Sequence, residues 1–184
     1  MLSEPLIRRA QDGDVAAFET LIESRLTSLF RLALAIVGDE LDARDAVQLA
    51  CVNAWRELPR LRDADRFEPW LRRILTNECR SALRSRRRRR VREIPVSLLD
   101  PERGADLAAS PTPGPGDRAE QLEILGRAFD RLDPDARTLL VLHHLEERSV
   151  AEISGLVGLP GTTVKWRLHR ARAALERALE VERR

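Results

Sequence analysis

Hydrophobic residues in the first half of the chain recur every three to four positions, which is the period of α-helices with one buried face. This pattern predicts a short N-terminal helix and then a long helix that begins after Asp14 and ends at Gly38. A third helix, capped by Asp42, ends at Pro59, and a fourth follows the polar loop 60–66. No segment alternates between apolar and polar residues as a half-buried strand does, so we expect an all-α fold.

The helical pattern is interrupted at residues 91–117 and resumes after them. The segment "PVSLLDPERGADLAASPTPGPGD" is rich in Pro, Gly and Ala and has no sustained apolar period, which is typical of a flexible linker. We therefore predict two small helical domains, residues 1–90 and 118–184, joined by this linker. Four helices are expected in the second domain: one that opens near Asp117, one capped at Asp133, and a final pair.

The final pair of predicted helices has the pattern of a helix-turn-helix. In "RSVAEISGLVGLPGTTVKWRL", Ser149 and Glu152 have the spacing of a capping box, and Gly158 suits a turn with positive φ. Thr162 or Thr163 is then expected to cap the second helix. In this motif the second helix lies in the major groove of DNA, so the pattern predicts DNA binding.

The second helix of the motif carries basic and aromatic residues opposite its apolar stripe. At about 100° per residue, Val164, Leu168, Ala171 and Leu175 fall on one narrow stripe, which must be buried. Trp166 then points outward among cations, which suits contacts with base edges and phosphates. The alternative is a solvated basic face on a helix pair that only packs the core. The candidate DNA-contacting residues are Thr162, Thr163, Lys165, Trp166, Arg167, His169, Arg170 and Arg172.

Composition agrees with small helical bundles and adds one strongly basic segment. Of the 184 residues, 43% are hydrophobic and only 4% are aromatic, a balance that favours helical bundles over a β-sandwich. The net charge of +2 is small, but residues 84–92 contain seven arginines in nine positions. This run suits the phosphates of a nucleic acid. The alternative is a disordered solubilising or targeting segment.

No group of residues indicates catalysis, a metal site or a cofactor. Histidines are few and lack carboxylate or serine partners at suggestive spacing, and no Gly-rich phosphate loop is present. Cys51 and Cys79 fall at apolar helical positions without CxxC spacing, as buried thiols of a reducing compartment do. A zinc site at His143 and His144 is the minor alternative. Without an apolar leader or a membrane-spanning segment, we expect a cytoplasmic protein that is not an enzyme and has no small-molecule substrate.

Three blocks of sequence occur in an order and at a spacing that a known family shares. They are "FRLALAIVGDELDARDAVQLACVNAWREL" at 30–58, "FEPWLRRILTNECRSALR" at 67–84 and "LDPDARTLLVLHHLEERSVAEISGLVGLPGTTVKWRLHRARAAL" at 132–175. In turn, they resemble the core-polymerase-binding segment, the −10 promoter-reading helix and the −35-reading domain of extracytoplasmic-function sigma factors. These are the compact two-domain class of bacterial sigma factors, and the resemblance covers nearly the whole chain.

The resemblance implies three partners: RNA polymerase core, promoter DNA and an anti-sigma factor, expected to be membrane-linked. The helix after Asp42 would bind a coiled coil of the polymerase β′ subunit, and the second domain would bind the β flap. Loop 60–66 and the next helix would capture an unpaired −10 base. The implied polymerase-binding residues are Asp42, Asp45, Gln48, Asn53 and Trp55. The implied −10-binding residues are Arg62, Asp63, Phe67, Arg73, Asn77, Arg80 and Arg84, while Lys165, Trp166, His169 and Arg170 match the family's −35-contacting positions.

The chain departs from the family pattern at several positions. Leu49 stands where an acidic residue is usual, and Ser81 where an aspartate is usual. Thr76, expected on the exposed side of the fourth helix, stands where an arginine is usual. Trp166 replaces a usual serine, which predicts an altered promoter preference.

Two other functions fit the same residues. An autonomous helix-turn-helix regulator would bind a palindrome as a dimer, but the first half offers neither an obvious ligand pocket nor a heptad seam. An interaction adaptor would instead bind an acidic protein with its basic faces. Specific binding to duplex DNA without polymerase would favour the regulator, and indifference to nucleic acid would favour the adaptor.

Overall fold

The computed structural model describes residues 3–92 and 116–183, which form nine α-helices and no strand. The all-α prediction is confirmed for these residues, whereas nearly all of the predicted linker lies outside them. Among their helices, none combines the length and the hydrophobicity needed to span a bilayer. The first part contains α1 Ser3–Gln11, α2 Val15–Glu23, α3 Leu26–Val37, α4 Glu40–Glu57 and α5 Phe67–Arg92. The second part contains α6 Gly116–Asp130, α7 Pro134–Leu140, α8 Val150–Val157 and α9 Gly161–Glu182.

The helix predicted to run from Asp14 to Gly38 is instead two helices, α2 and α3, separated at Ser24 and Arg25. The Arg25 guanidinium donates to the Leu21 carbonyl at the end of α2 and, at 2.7 Å, to a carboxylate oxygen of Glu68 on α5. These bonds hold the break and orient α3 toward α5. The apolar period continues on both sides of the break, and it therefore predicts one helix where there are two.

The ends of these helices follow ordinary capping rules. Asp14 caps α2 and Gly38 ends α3 with a φ of 74°, both as predicted. Asp39, rather than Asp42, caps α4, because its backbone is extended and its carboxylate accepts the Asp42 N–H at 2.9 Å. Asp42 lies instead in the first turn, where a carboxylate interacts favourably with the helix dipole. A 3₁₀ turn, Leu58–Arg60, follows α4.

Helices α3, α4 and α5 pack around an apolar core. The contribution of α4 consists largely of small side chains, so the helices approach each other closely. On α5, Leu71 and Leu75 are fully buried. Burying one leucine side chain stabilises the fold by about 1.5–3 kcal/mol relative to exposure. The buried alanines of α4 are Ala43, Ala46, Ala50 and Ala54.

Helices α8 and α9 form the predicted helix-turn-helix. The capping box at Ser149 is confirmed, and Gly158 ends α8 with a φ of 69°. The prediction that Thr162 or Thr163 caps α9 is wrong, because Pro160 is its N-cap. The extended backbone of Pro160 leads directly into the helix and places both threonines inside its first turn.

The two parts pack against each other, with α5 of the first part against α7 and α8 of the second. Buried residues of α8 and α9, including Ile153 and Leu168, are continuous with the apolar core of the first part. Beside this core, Nη1 of Arg72 on α5 donates to the Glu146 carboxylate at 2.7 Å. The described parts therefore share one core, a feature that local sequence patterns do not reveal.

Candidate nucleic-acid interface

Helix α9 presents a basic and aromatic face to solvent. The predicted apolar stripe is confirmed at Val164, Leu168 and Ala171, which are buried. The opposite side is therefore accessible. Of the candidate contacts, Thr163 and Arg167 are half-buried, whereas Thr162, Lys165, Trp166, His169, Arg170 and Arg172 are exposed.

Trp166 and Arg170 form one unit on this face, which we call the Trp166–Arg170 pair. Trp166 is 56% exposed, and the guanidinium carbon of Arg170 lies 4.8 Å from the centroid of its ring. At an exposed site, a guanidinium over an indole is attracted by about 0.5–1 kcal/mol. The pair presents an apolar ring and several N–H donors side by side. Their contact was not predicted, although residues four positions apart lie next to each other on a helix.

Arg172 is oriented by a histidine that precedes the helix-turn-helix. Its Nε donates to Nε2 of His144 at 3.2 Å. Burial, together with the charges of Arg172 and His143, lowers the pKa of His144, so the ring is neutral and can accept this bond. Across the described residues, no group of three or more His, Cys, Asp and Glu side chains is arranged so that it could hold a metal ion.

Helix α5 carries the second candidate surface. Arg73 and Asn77 are exposed and lie one turn apart. Arg80 and Arg84 continue the same face, but Nη2 of each contacts the Asp135 carboxylate of α7, at 2.8 and 3.0 Å. The Arg80 side chain is only 13% exposed. Part of the predicted −10 surface is therefore occupied by the second part of the molecule.

Two residues that the sequence analysis places on this surface are buried. Phe67 is 2% exposed, with the Arg25 guanidinium carbon 5.2 Å from its ring centroid, so it supports the core and cannot stack on a base in this structure. Thr76 is fully buried, and its hydroxyl donates to the Arg72 carbonyl at 2.8 Å. The helical period predicts that Phe67 is buried, which is confirmed, and only the resemblance assigns it to the −10 surface. Thr76, expected on the exposed side, lies at the border of the apolar stripe, where the period is compatible with either orientation.

The loop before α5 adds Arg62 and Asp63, both exposed, to this surface. The Asp63 carboxylate accepts the Asp65 N–H at 3.0 Å and thereby starts a short 3₁₀ turn. An ion pair of 3.3 Å joins Asp63 to Arg66. These local bonds order the loop directly beside the N-terminus of α5.

The arginine run lies within α5, which continues to Arg92. Arg86 is half-buried and contacts Asp42 at 3.5 Å and Asp130 at 3.4 Å, so it joins α4 to α6. Arg87, Arg88 and Arg89 are exposed. The run therefore contributes both to packing and to an exposed basic track.

Helix α4 presents exposed apolar residues beside polar ones. Leu41, Leu49 and Val52 are exposed, and the predicted polymerase contacts Asp45 and Gln48 lie among them. The other predicted polymerase contacts are engaged within the protein: Asp42 with Arg86 at 3.5 Å, Asn53 with Glu78 at 2.9 Å, and Trp55 with Phe18 at 5.1 Å between ring centroids.

Comparison with known proteins identifies both parts. Residues 21–89 match the Sigma-70 region 2 family, and residues 122–175 match the Sigma-70, region 4 family. The ECF RNA polymerase sigma factor SigW of Bacillus subtilis is 26% identical, with 97% of each chain covered. The RNA polymerase sigma-E factor of Streptomyces avermitilis is 33% identical over 168 residues, which are 91% of this chain and 88% of that protein. The chain belongs to the extracytoplasmic-function sigma factors.

Two further comparisons agree with this assignment. The probable RNA polymerase sigma factor RfaY of Xanthomonas campestris is 32% identical to this chain over 173 residues. These residues are 92% of this chain but only 42% of RfaY, which is longer. The solved structure of CnrH in complex with the cytosolic domain of CnrY has a TM-score of 0.63 and 28% identity, and the match covers 96% of both chains. Members of this family are not enzymes, and this sigma factor is accordingly a non-enzymatic protein.

The two cysteines of the sigma factor lie in unreactive surroundings. Burial, with a smaller contribution from Glu78, raises the pKa of the Cys79 thiol to about 12. Burial also raises the pKa of Cys51, which is half-buried. Both side chains are therefore protonated thiols at neutral pH, consistent with structural rather than redox roles.

Proposed function

We propose that this sigma factor directs core RNA polymerase to promoters by reading the −35 element with α9 and the −10 element with α5. The observation that carries the proposal is the exposed Trp166–Arg170 pair, which lies opposite the buried residues Val164 and Leu168 on the second helix of the helix-turn-helix. A helix anchored through one stripe can enter the major groove with the other side toward the bases. The site of action would be the cytoplasm, where polymerase and DNA meet.

On α9 the chemistry of each side chain suggests its role. The Arg170 guanidinium can donate two hydrogen bonds to one guanine edge. Trp166 has a single N–H donor and a large apolar surface, so it suits a thymine methyl group or a deoxyribose edge rather than a bidentate contact. Lys165 and His169 flank the pair, and Arg172, oriented by His144, suits a phosphate.

On α5 the exposed residues suit a single DNA strand. Arg73 supplies a cation for its phosphates, and the Asn77 amide supplies a donor and an acceptor for a base edge. Arg62 and Asp63 in the adjoining loop offer further polar contacts to an unpaired base. Unstacking such a base costs a few kcal/mol, which contacts of this kind must offset.

The α4 face is the proposed site for polymerase. Leu41, Leu49 and Val52 would leave water on binding a coiled coil of the β′ subunit, with Asp45 and Gln48 setting the orientation by hydrogen bonds. The second part would bind the β flap. The solved structure of CnrH contains the cytosolic domain of CnrY. We extend this kind of partner to the present chain as a membrane-linked anti-sigma factor that covers the α4 face.

Run-off transcription with purified core polymerase and fragments of genomic DNA tests the proposal. The wild-type protein should give discrete transcripts, and Arg170→Ala should weaken them by about tenfold or more, since a lost bidentate base contact costs about 1–3 kcal/mol. Arg8→Ala is the matched control, because it removes the same charge from an exposed position on α1. Absence of any specific transcript, or tight specific binding to duplex DNA without polymerase, would contradict the proposal.

A further inference from the structure

One carboxylate, that of Asp135 on α7, contacts arginines from both proposed DNA-reading helices. Arg80 of α5 approaches it through Nε at 2.9 Å and Nη2 at 2.8 Å, and Nη2 of Arg84 lies at 3.0 Å. From the other side, Nη1 of Arg167 on α9 donates to the second carboxylate oxygen at 3.1 Å. We call these four residues the Asp135 cluster.

The Asp135 cluster is partly withdrawn from water. The side chain of Asp135 is 29% exposed and that of Arg80 is 13% exposed, so screening by solvent and salt is weaker than for a surface pair. Burial raises the pKa of Asp135, but hydrogen bonds from Arg80 and Arg84 lower it by more, and the carboxylate stays ionised at neutral pH. One negative charge thus faces three cations, which is the environment that a DNA phosphate would also find.

The closed arrangement does not match the geometry of a promoter. The −35 and −10 elements are about 25 base pairs apart, which is about 85 Å along B-DNA at about 3.4 Å per base pair. Here Arg80 of α5 and Arg167 of α9 contact the same carboxylate, at 2.8 and 3.1 Å. The turn of the helix-turn-helix also lies beside the −10 surface, since a Cβ built on Gly158 would be 3.8 Å from Nη2 of Arg73. Both elements can be read only after the two parts separate.

We propose that Asp135 is an internal latch: its carboxylate takes the place of a DNA phosphate between α5 and α9 and holds the sigma factor closed until polymerase separates the two parts. The inference rests on the proposed roles of these helices in promoter binding. It differs from inhibition by a separate protein, because every group in the latch belongs to this chain.

Asp135→Asn in the full chain tests the latch. The substitution removes the charge of the side chain but keeps its size. It also keeps the hydrogen bond from the residue 135 backbone N–H to the carboxylate of Asp133, the N-cap of α7. Glu176→Gln is the matched control, because it removes the same charge from an exposed position on α9 of the same part. Asp135→Glu keeps the charge and tests whether a carboxylate suffices.

Small-angle X-ray scattering of the free proteins reports whether the two parts separate. The wild type, Glu176→Gln and Asp135→Glu should stay near the radius of gyration of about 16 Å expected for a compact chain of this length, and Asp135→Asn should exceed it clearly. Circular dichroism checks that Asp135→Asn keeps its helices. An Asp135→Asn protein as compact as the wild type, or an Asp135→Glu protein as expanded as Asp135→Asn, would overturn the latch.

Binding to a forked −10 oligonucleotide without polymerase reports whether the latch withholds DNA contacts. Asp135→Asn should bind about tenfold more tightly than Glu176→Gln, as expected if the open fraction rises by that factor. Equal affinities would overturn the latch. Run-off transcription by the wild type tests the proposed function separately. If the wild type gives specific transcripts but the Asp135→Asn variant stays compact, the latch is wrong and the proposed function stands.

Discussion

Gly38 is the position where one added methyl group should disturb the contact between the two parts. Its φ of 74° ends α3 in the left-handed region. A Cβ at this residue would overlap Nη2 of Arg137 on α7 and lie 3.1 Å from its Cζ. Arg137 has little freedom to retreat, because its side chain is 7% exposed and its Nη1 donates to the Asp130 carboxylate at 2.8 Å. Its guanidinium also lies over Phe129, 5.7 Å from the ring centroid.

Gly38→Ala should destabilise the fold through two effects, backbone strain and displacement of Arg137. Gly13→Ala should show the backbone strain alone. The left-handed backbone costs an L-residue about 1–2 kcal/mol. Displacing Arg137 from its charged hydrogen bond adds about 1.5–3 kcal/mol, so the loss in free energy of unfolding should be about 2.5–5 kcal/mol. Gly13 has a φ of 94° and nothing within 4 Å of an added Cβ. Gly13→Ala should therefore lose only the backbone term, about 1–2 kcal/mol.

Urea unfolding of the full chain, followed by circular dichroism at 222 nm, the usual helix wavelength, measures both losses. The double variant Gly38→Ala/Arg137→Ala, compared with both single variants, gives the coupling energy between the two positions. We expect a coupling of about 1 kcal/mol or more, because the clash disappears when the arginine is absent. If Gly38→Ala and Gly13→Ala lose the same free energy within about 0.5 kcal/mol, Arg137 does not pack against Gly38 and the described contact between the parts is wrong.

Two further predictions concern the helix-turn-helix. Hydrogen bonds from the Ser149 hydroxyl and backbone N–H, and from Arg148, lower the pKa of Glu152 to about 2. The Glu152 carboxylate should therefore stabilise α8 fully above the ordinary glutamate pKa of about 4.5, and this stabilisation should be lost as the pH falls toward 2. The difference in unfolding midpoint between wild type and Glu152→Gln should therefore shrink between pH 5 and pH 2.5, and a difference independent of pH would contradict the assignment. Trp166→Ser should change the −35 sequence preferred in initiation from a randomised promoter library, whereas Arg177→Ala, on an exposed position farther along α9, should weaken all sequences equally and reduce the salt dependence. The reverse pattern would mean that the two residues have exchanged roles.

Features set by neighbouring residues could be predicted from the sequence. The capping box at Ser149, the left-handed ends at Gly38 and Gly158, and the buried stripe through Val164 and Leu168 all depend on residues within one or two turns. For the same reason the outward position of Trp166 is confirmed. The resemblance to sigma factors, which the comparisons confirm, rests on blocks of this local kind.

Features set by distant residues could not be predicted in this way. The bond from Arg80 to Asp135 joins residues 55 apart, and the bond from Arg167 to Asp135 joins residues 32 apart. Both arginines look like solvent-facing cations by period alone. Thr76 shows the converse, since it is expected on the exposed side of the helix and is fully buried, while the burial of Phe67 that the helical period predicts is confirmed.

If α5 and α9 bind promoter DNA as proposed, we expect the pairing of arginines, rather than the net charge, to govern how this sigma factor binds DNA. The chain has 32 basic and 30 acidic residues, so its overall field offers little attraction to a polyanion. In the closed arrangement, acidic residues of the second part neutralise arginines along α5: Glu146 contacts Arg72, Asp135 contacts Arg80 and Arg84, and Asp130 contacts Arg86. Separation of the two parts would release Arg80 and Arg84 and add their charge to that of the exposed Arg73, whereas Arg72 would keep Glu68 and Arg86 would keep Asp42 as partners within the first part. The separation that gives the two proposed reading helices their promoter spacing would then also free two cations for the DNA backbone, and we expect this nearly neutral chain to depend on polymerase for affinity as well as for geometry.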